Sequence, residues 1–112
     1  MTNQRLQTRS ICADLVYLDW KDPSGACECA AVLEDISPRG ACLQAEIPVP
    51  IDIEGIIRHG EHWSAECRIK YCVFREIGYF VGVEFIDSDA WLKHEFLPEH
   101  LLDLGDLVHG SD

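Results

Sequence analysis

The sequence has no run approaching the ~20 apolar residues of a membrane-spanning helix, so none is expected. Its opening residues, MTNQRLQTRS, lack the apolar core of a signal peptide, and a soluble cytoplasmic protein is expected. There is no G-x-S-x-G elbow and no P-loop. No Cys or His spacing identifies a nucleophile–base pair, so an enzyme is not expected. Positive charge is scarce. Nine Lys and Arg against twenty Asp and Glu leave a net charge of −11, which repels DNA and RNA as general partners. Length is short as well: 112 residues fit one domain with one core. They exclude a TIM barrel, or a dinucleotide domain joined to a substrate domain.

Cysteine is present but unpaired in pattern. Cys12, Cys27, Cys29, Cys42, Cys67 and Cys72 give one C-x-C and one C-x4-C, with no partner pair at a zinc-binding spacing. Most lie in apolar, strand-like runs, where Cys packs as a small hydrophobe. Reduced thiols and no metal site are expected. The five His are scattered over loop and tail segments, none at a helical zinc spacing with another ligand. Charge is laid out unevenly. Residues 1–9 carry Arg5 and Arg9 and no acid, whereas residues 86–112 carry one Lys against seven acids.

What the chain does have is a succession of strands and turns. Residues 11–20, 26–36, 41–47, 52–58, 63–74 and 79–86 read as strands, divided by KDPSG, SPRG, PVP, HGEH and REIG. Within 63–74, Trp63, Ala65, Cys67, Ile69 and Tyr71 are expected on one face. Ser64, Glu66, Arg68 and Lys70 fall on the other, the period of a half-buried strand. Val81, Val83 and Phe85 mark the core face of the last strand. Six strands with short connections predict an all-β fold, an antiparallel barrel or sandwich. One or two short C-terminal helices are expected, over 88–96 (Ser88 as N-cap, Pro98 as stop) and 98–104 (Gly105 as stop). Trp91, Phe96, Leu97, Leu101 and Leu102 would plug one end of the barrel.

Two short segments stand apart from this pattern. Arg5-Leu6-Gln7-Thr8-Arg9 is an R-x-x-x-R before the first strand, and Asp35-Ile36-Ser37-Pro38-Arg39-Gly40 is a D-x-S-x-x-G after the second. Gly82-Val83-Glu84-Phe85 adds a G-x-x-F in the last strand. In this order and spacing, over residues 5–86, the chain resembles the PilZ domain, a bacterial receptor module for the second messenger cyclic di-GMP. The resemblance implies a six-stranded antiparallel β-barrel. It divides the chain into an arm at 1–10, a barrel at 11–86 and an acidic helical segment at 87–112. It also implies a ligand site made by Arg5, Arg9, Asp35, Ser37 and Gly40, with no cofactor beyond the ligand.

The chemistry suits those residue types. Guanine offers O6 and N7 acceptors that match an arginine fork, and a guanidinium can stack on the purine face. Phosphates want cations and N–H donors. In an extended arm Arg5 and Arg9 stand ~13 Å apart, at ~3.3 Å per residue, a span that reaches separate parts of a dinucleotide. The Asp35 carboxylate can accept from guanine N1 and N2 or fix an Arg, and Ser37 brings a hydroxyl. Ser37-Pro38-Arg39-Gly40 fits a type I turn, with Gly40 permitting a close backbone approach or a positive φ. Taken alone, the same turn reads as a plain β-turn whose Asp and Ser bond their own backbone. Gln4 stands where many family members carry a second basic residue, a neighbourhood that influences whether one ligand or a stacked pair is bound.

The arm, nearly without apolar residues, is expected to order only on binding. With no output domain in 112 residues, the signal would pass to an unidentified protein partner, and homodimerisation stays open. The alternative is a PilZ-like interaction module that binds no nucleotide.

Overall fold

The computed structural model describes residues 10–61, 63–87 and 102–103. They form β1 (Ser10–Asp22), β2 (Gly25–Ser37), β3 (Gly40–Ala45), β4 (Ile53–His59), β5 (Trp63–Arg75), β6 (Gly78–Phe85) and β7 (Leu102–Asp103). Every pairing is antiparallel, in the spatial order β2-β3-β6-β5-β4-β1-β7, and β1 also pairs with β2. That last contact joins the two sides of the sheet, so β1 to β6 close into a six-stranded barrel. Closure gives each of the six strands a neighbour on both sides over its central part.

Alternation builds the interior. Val16, Leu18 and Trp20 of β1 point inward with Cys29, Ala31 and Leu33 of β2, and with Ile57, Cys67, Ile69, Val81 and Val83 from the far wall. Leu18, Leu33, Ile36, Leu43, Ile57 and Ile69 are the largest fully buried side chains. Each contributes about 1.5–3 kcal/mol relative to an exposed position. Phe85 meets Trp63 edge-on, with centroids 6.1 Å apart at 81°, a favoured aromatic geometry.

Three bulges interrupt the pairing register. In β2 the register with β3 slips between Leu33 and Asp35, leaving Glu34 as the extra residue. In β1 the register with β2 slips between Ile11 and Asp14. In β5 it slips between Ile69 and Tyr71, across Lys70. The extra residues of β2 and β5 exchange the inward and outward positions beyond them, whereas in β1 Cys12 and Asp14 both stay buried.

Two expectations are corrected. Tyr71 does not share the core face of Trp63 to Ile69: the Lys70 bulge turns it outward, and it is 44% exposed. Leu102 and Asp103, expected within a helix over 98–104, instead form β7 and pair with Ile11 and Ser10, and the rest of that span lies outside the described residues. The helix over 88–96 and Trp91, Phe96, Leu97 and Leu101 lie outside the described residues.

Candidate functional site

The D-x-S-x-x-G segment forms the β2–β3 hairpin, with Ser37 opposite Gly40 and Pro38–Arg39 as a two-residue loop. Neither loop residue has a positive φ, which excludes the primed turns and agrees with the expected type I turn. The turn is held from outside, because the Phe85 N–H donates to the Arg39 carbonyl over 2.7 Å. The last residue of G-x-x-F thus has two roles, a ring in the core and an amide on the turn.

Gly40 is required for closeness rather than for a left-handed conformation. A Cβ there would stand 2.2 Å from the Val83 carbonyl oxygen. The glycine lets β3 lie against β6 at the mouth of the hairpin. The Ser37 hydroxyl lies 3.5 Å from the Gly40 carbonyl, the outer limit of a hydrogen bond. That contact holds it weakly.

The Glu34 bulge sets the direction of Asp35. Cys29, Ala31 and Leu33 are buried on odd positions, and beyond the bulge Ile36 enters the core, with Ser37 buried at the hairpin beside it. Asp35 therefore turns to the outer face instead of entering the core. It pairs across β3 with Cys42, which pairs with Gly82 of β6, which pairs with Tyr71 of β5. Tyr71 lies flat along this row: a Cβ on Gly82 would sit 2.1 Å from its ring, and its hydroxyl lies 3.8 Å from the Cys42 sulfur. The row presents a carboxylate at one end and an aromatic face at the other.

Charge around the hairpin is mixed. Arg39 and Arg68 are exposed, and Lys70 stands 4.0 Å from Glu84. Beneath the site, Asp14 is buried and its carboxylate lies 3.3 Å from His59 Nε2. The neighbouring Cys12 thiol is pushed up to about 12, first by burial and then by the charges of Asp14, Asp35 and Glu34. It is a neutral, inert thiol at physiological pH.

Of the five expected site residues, Asp35, Ser37 and Gly40 come together at the β2–β3 hairpin, Asp35 partly exposed and Ser37 buried. Arg5 and Arg9 lie outside the described residues. Ser10, to which Arg9 is bonded, pairs with Ile36, so the chain leading to the arm enters β1 between Asp35 and Ser37. Sequence reasoning missed Tyr71, although a signal for it was present. Counting back from the Arg75–Gly78 turn sets Cys72 opposite inward Val81, which sends Tyr71 outward. That parity clashes with inward Ile69 and demands an extra residue between them.

No protein-family profile matches the chain, and no curated protein does. Among solved structures it is similar to that of the K. pneumonia MrkH–c-di-GMP complex, at 16% identity and a TM-score of 0.60. The match covers 94% of this chain and 52% of that one, so the chain spans about half its length. At this identity the likeness establishes the fold, an all-β, six-stranded antiparallel barrel.

Proposed function

We propose that the chain is a receptor for cyclic di-GMP that orders its Arg5–Arg9 arm over the barrel on binding and signals through a protein partner. The observation that carries this reading is the register of β1. It brings the residue bonded to Arg9 against Ile36, beside Asp35 and Ser37. The similarity to a barrel crystallised with c-di-GMP supports it.

In this reading the outer face supplies shape and the arm supplies charge. Asp35 accepts from a guanine Watson–Crick edge or fixes an arginine, Ser37 donates its hydroxyl, and Gly40 keeps the hairpin mouth narrow. The Tyr71 ring offers a stacking surface, worth roughly 1–3 kcal/mol per base. The carboxylates of Glu34, Asp35 and Glu84 oppose a ligand of two phosphates. Its affinity therefore depends on Arg5 and Arg9, each bidentate guanine contact being worth on the order of 1–3 kcal/mol.

The test is calorimetric titration of the folded protein with cyclic di-GMP, alongside Arg9→Ala and Asp35→Ala. Saturable binding lost in both variants supports the receptor, and the stoichiometry shows what Gln4 permits. No heat and no thermal stabilisation from folded protein would replace it with the interaction module that binds no nucleotide.

A further inference from the structure

At the end of β1 remote from the hairpin, the barrel wall splits. β1 and β4 pair from Tyr17–Arg58 to Trp20–Gly55 and no further. Gly55 makes the last approach possible, since a Cβ there would stand 2.7 Å from the Asp19 carbonyl. Beyond it, β1 continues to Asp22 bonded only to β2, while Ile53 and Glu54 of β4 are bonded only to β5. Two strand edges thus face each other unpaired across a cleft of about 760 Å³. Trp20, Ile53 and Ile56 supply apolar wall. The Trp20 indole N–H is buried with no acceptor among the described residues.

The rim is acidic. Asp19, Glu28, Glu54 and Glu66 line the cleft against Lys21 and Arg58. Arg58 is already committed: its Nε donates to Asp19 over 2.6 Å, it also meets Glu28, and it lies over the Tyr17 ring. The Asp19 carboxylate, through its hydrogen bond and charge, holds the guanidinium above the ordinary arginine range. Glu54 and Glu66 are exposed and make no ion pair among the described residues.

We infer that this cleft docks an extended segment of a partner protein in which Lys or Arg alternates with apolar residues. Open strand edges give a backbone ladder, alternate side chains reach the apolar wall, and the intervening cations meet Glu54 and Glu66. The arginines of the chain's own N-terminal arm do not reach it. Trp20 lies ten residues along β1 from Ser10, ~33 Å at ~3.3 Å per residue. Arg5 is five residues from Ser10, a reach of at most ~18 Å. A second copy, at a net charge of −11, is repelled.

The test uses a displayed library of random decapeptides selected on the full chain without cyclic di-GMP, so it stands or falls apart from the receptor reading. Enriched peptides are then measured by fluorescence anisotropy against the wild type and an E54K/E66K double variant of matched urea midpoint. The expected result is basic–apolar alternation in the enriched peptides. Affinity falls about tenfold or more in the double variant and weakens with salt, and the amide signals of Lys21, Asp22, Ile53 and Glu54 shift on binding. No enrichment, enrichment without basic residues, equal binding to both proteins, or a dimer of the chain that E54K/E66K dissociates would each overturn it.

Discussion

Adding one methyl group at Gly40 and one at Gly82 should have opposite consequences, although both glycines sit on neighbouring strands with no room for a side chain. At Gly40 the obstruction is backbone: the Val83 carbonyl oxygen at 2.2 Å and the Glu84 Cα at 3.2 Å. Carbon–oxygen contacts in sheets settle near ~3.3–3.6 Å, so Gly40→Ala must push β3 from β6 by about 1 Å. The cost is about two ladder hydrogen bonds at ~1 kcal/mol each, plus ~1–3 kcal/mol of overpacking. We expect a loss of about 3 kcal/mol. At Gly82 every obstructing atom belongs to the Tyr71 ring, which can swing into solvent about its own side-chain torsions. Alanine is also a better strand residue than glycine by ~0.5–1 kcal/mol. Gly82→Ala should stay within about 1 kcal/mol of the wild type while displacing the ring and weakening cyclic di-GMP. Urea unfolding with an unchanged slope reads the first effect, and calorimetric titration the second. A Gly40→Ala midpoint equal to the wild type, or Gly82→Ala as the less stable of the two, would refute the reasoning.

Tyr71→Ala should weaken cyclic di-GMP by roughly 1–3 kcal/mol while Tyr71→Phe retains it, because the ring face and not the hydroxyl does the stacking; equal affinities for all three proteins would remove Tyr71 from the site. Burial, against backbone hydrogen bonds from Ile57 and Gly55, pushes the Cys67 thiol up to about 12 from 9.0, so the native state keeps a proton that the unfolded chain releases. Its contribution is complete below pH 9 and is lost as pH climbs toward 12, by up to ~1.4 kcal/mol per pH unit. Urea midpoints at pH 8 and about pH 10 should therefore fall less for Cys67→Ala than for the wild type, and parallel losses would count against a buried neutral thiol. Deleting Glu34 takes out the extra residue and so keeps Leu33 and Ile36 inward and Asp35 outward; cooperative unfolding by circular dichroism should survive, and its loss would show that Glu34 does more than reset the parity of β2.

Much of the barrel was legible because its signals are local. All six expected strands fall within two residues of the observed ones, since Pro, Gly and Asp clusters mark the turns and alternation marks the walls. Tyr71 was misplaced by the same logic that placed Ile69. Alternation extends only as far as the next bulge, and nothing in the stretch Arg68–Ile69–Lys70–Tyr71 marks Lys70 as extra. β7 was missed because two residues carry no period at all. Its partner is the start of β1, some ninety positions away.

The candidate site was legible as a set of residue types but not as a face. Folding β1 on β2 at Pro23–Ser24 without a bulge would set Ser10 opposite Ser37 and Asp35 on the core side with Leu33. The observed register instead pairs Ser10 with Ile36 and Ile11 with Asp35. This comes about because Cys12 and Ala13 together oppose Glu34, and Glu34 itself bulges against β3. Matched irregularities in β1 and β2 keep Ile36 in the core and turn Asp35 outward, where the chain arrives from Arg9. Bulges concentrate where a strand must re-aim a side chain. The break in the apolar pattern at Glu34–Asp35, an acidic pair between buried Leu33 and Ile36, is the trace that requirement leaves in the sequence.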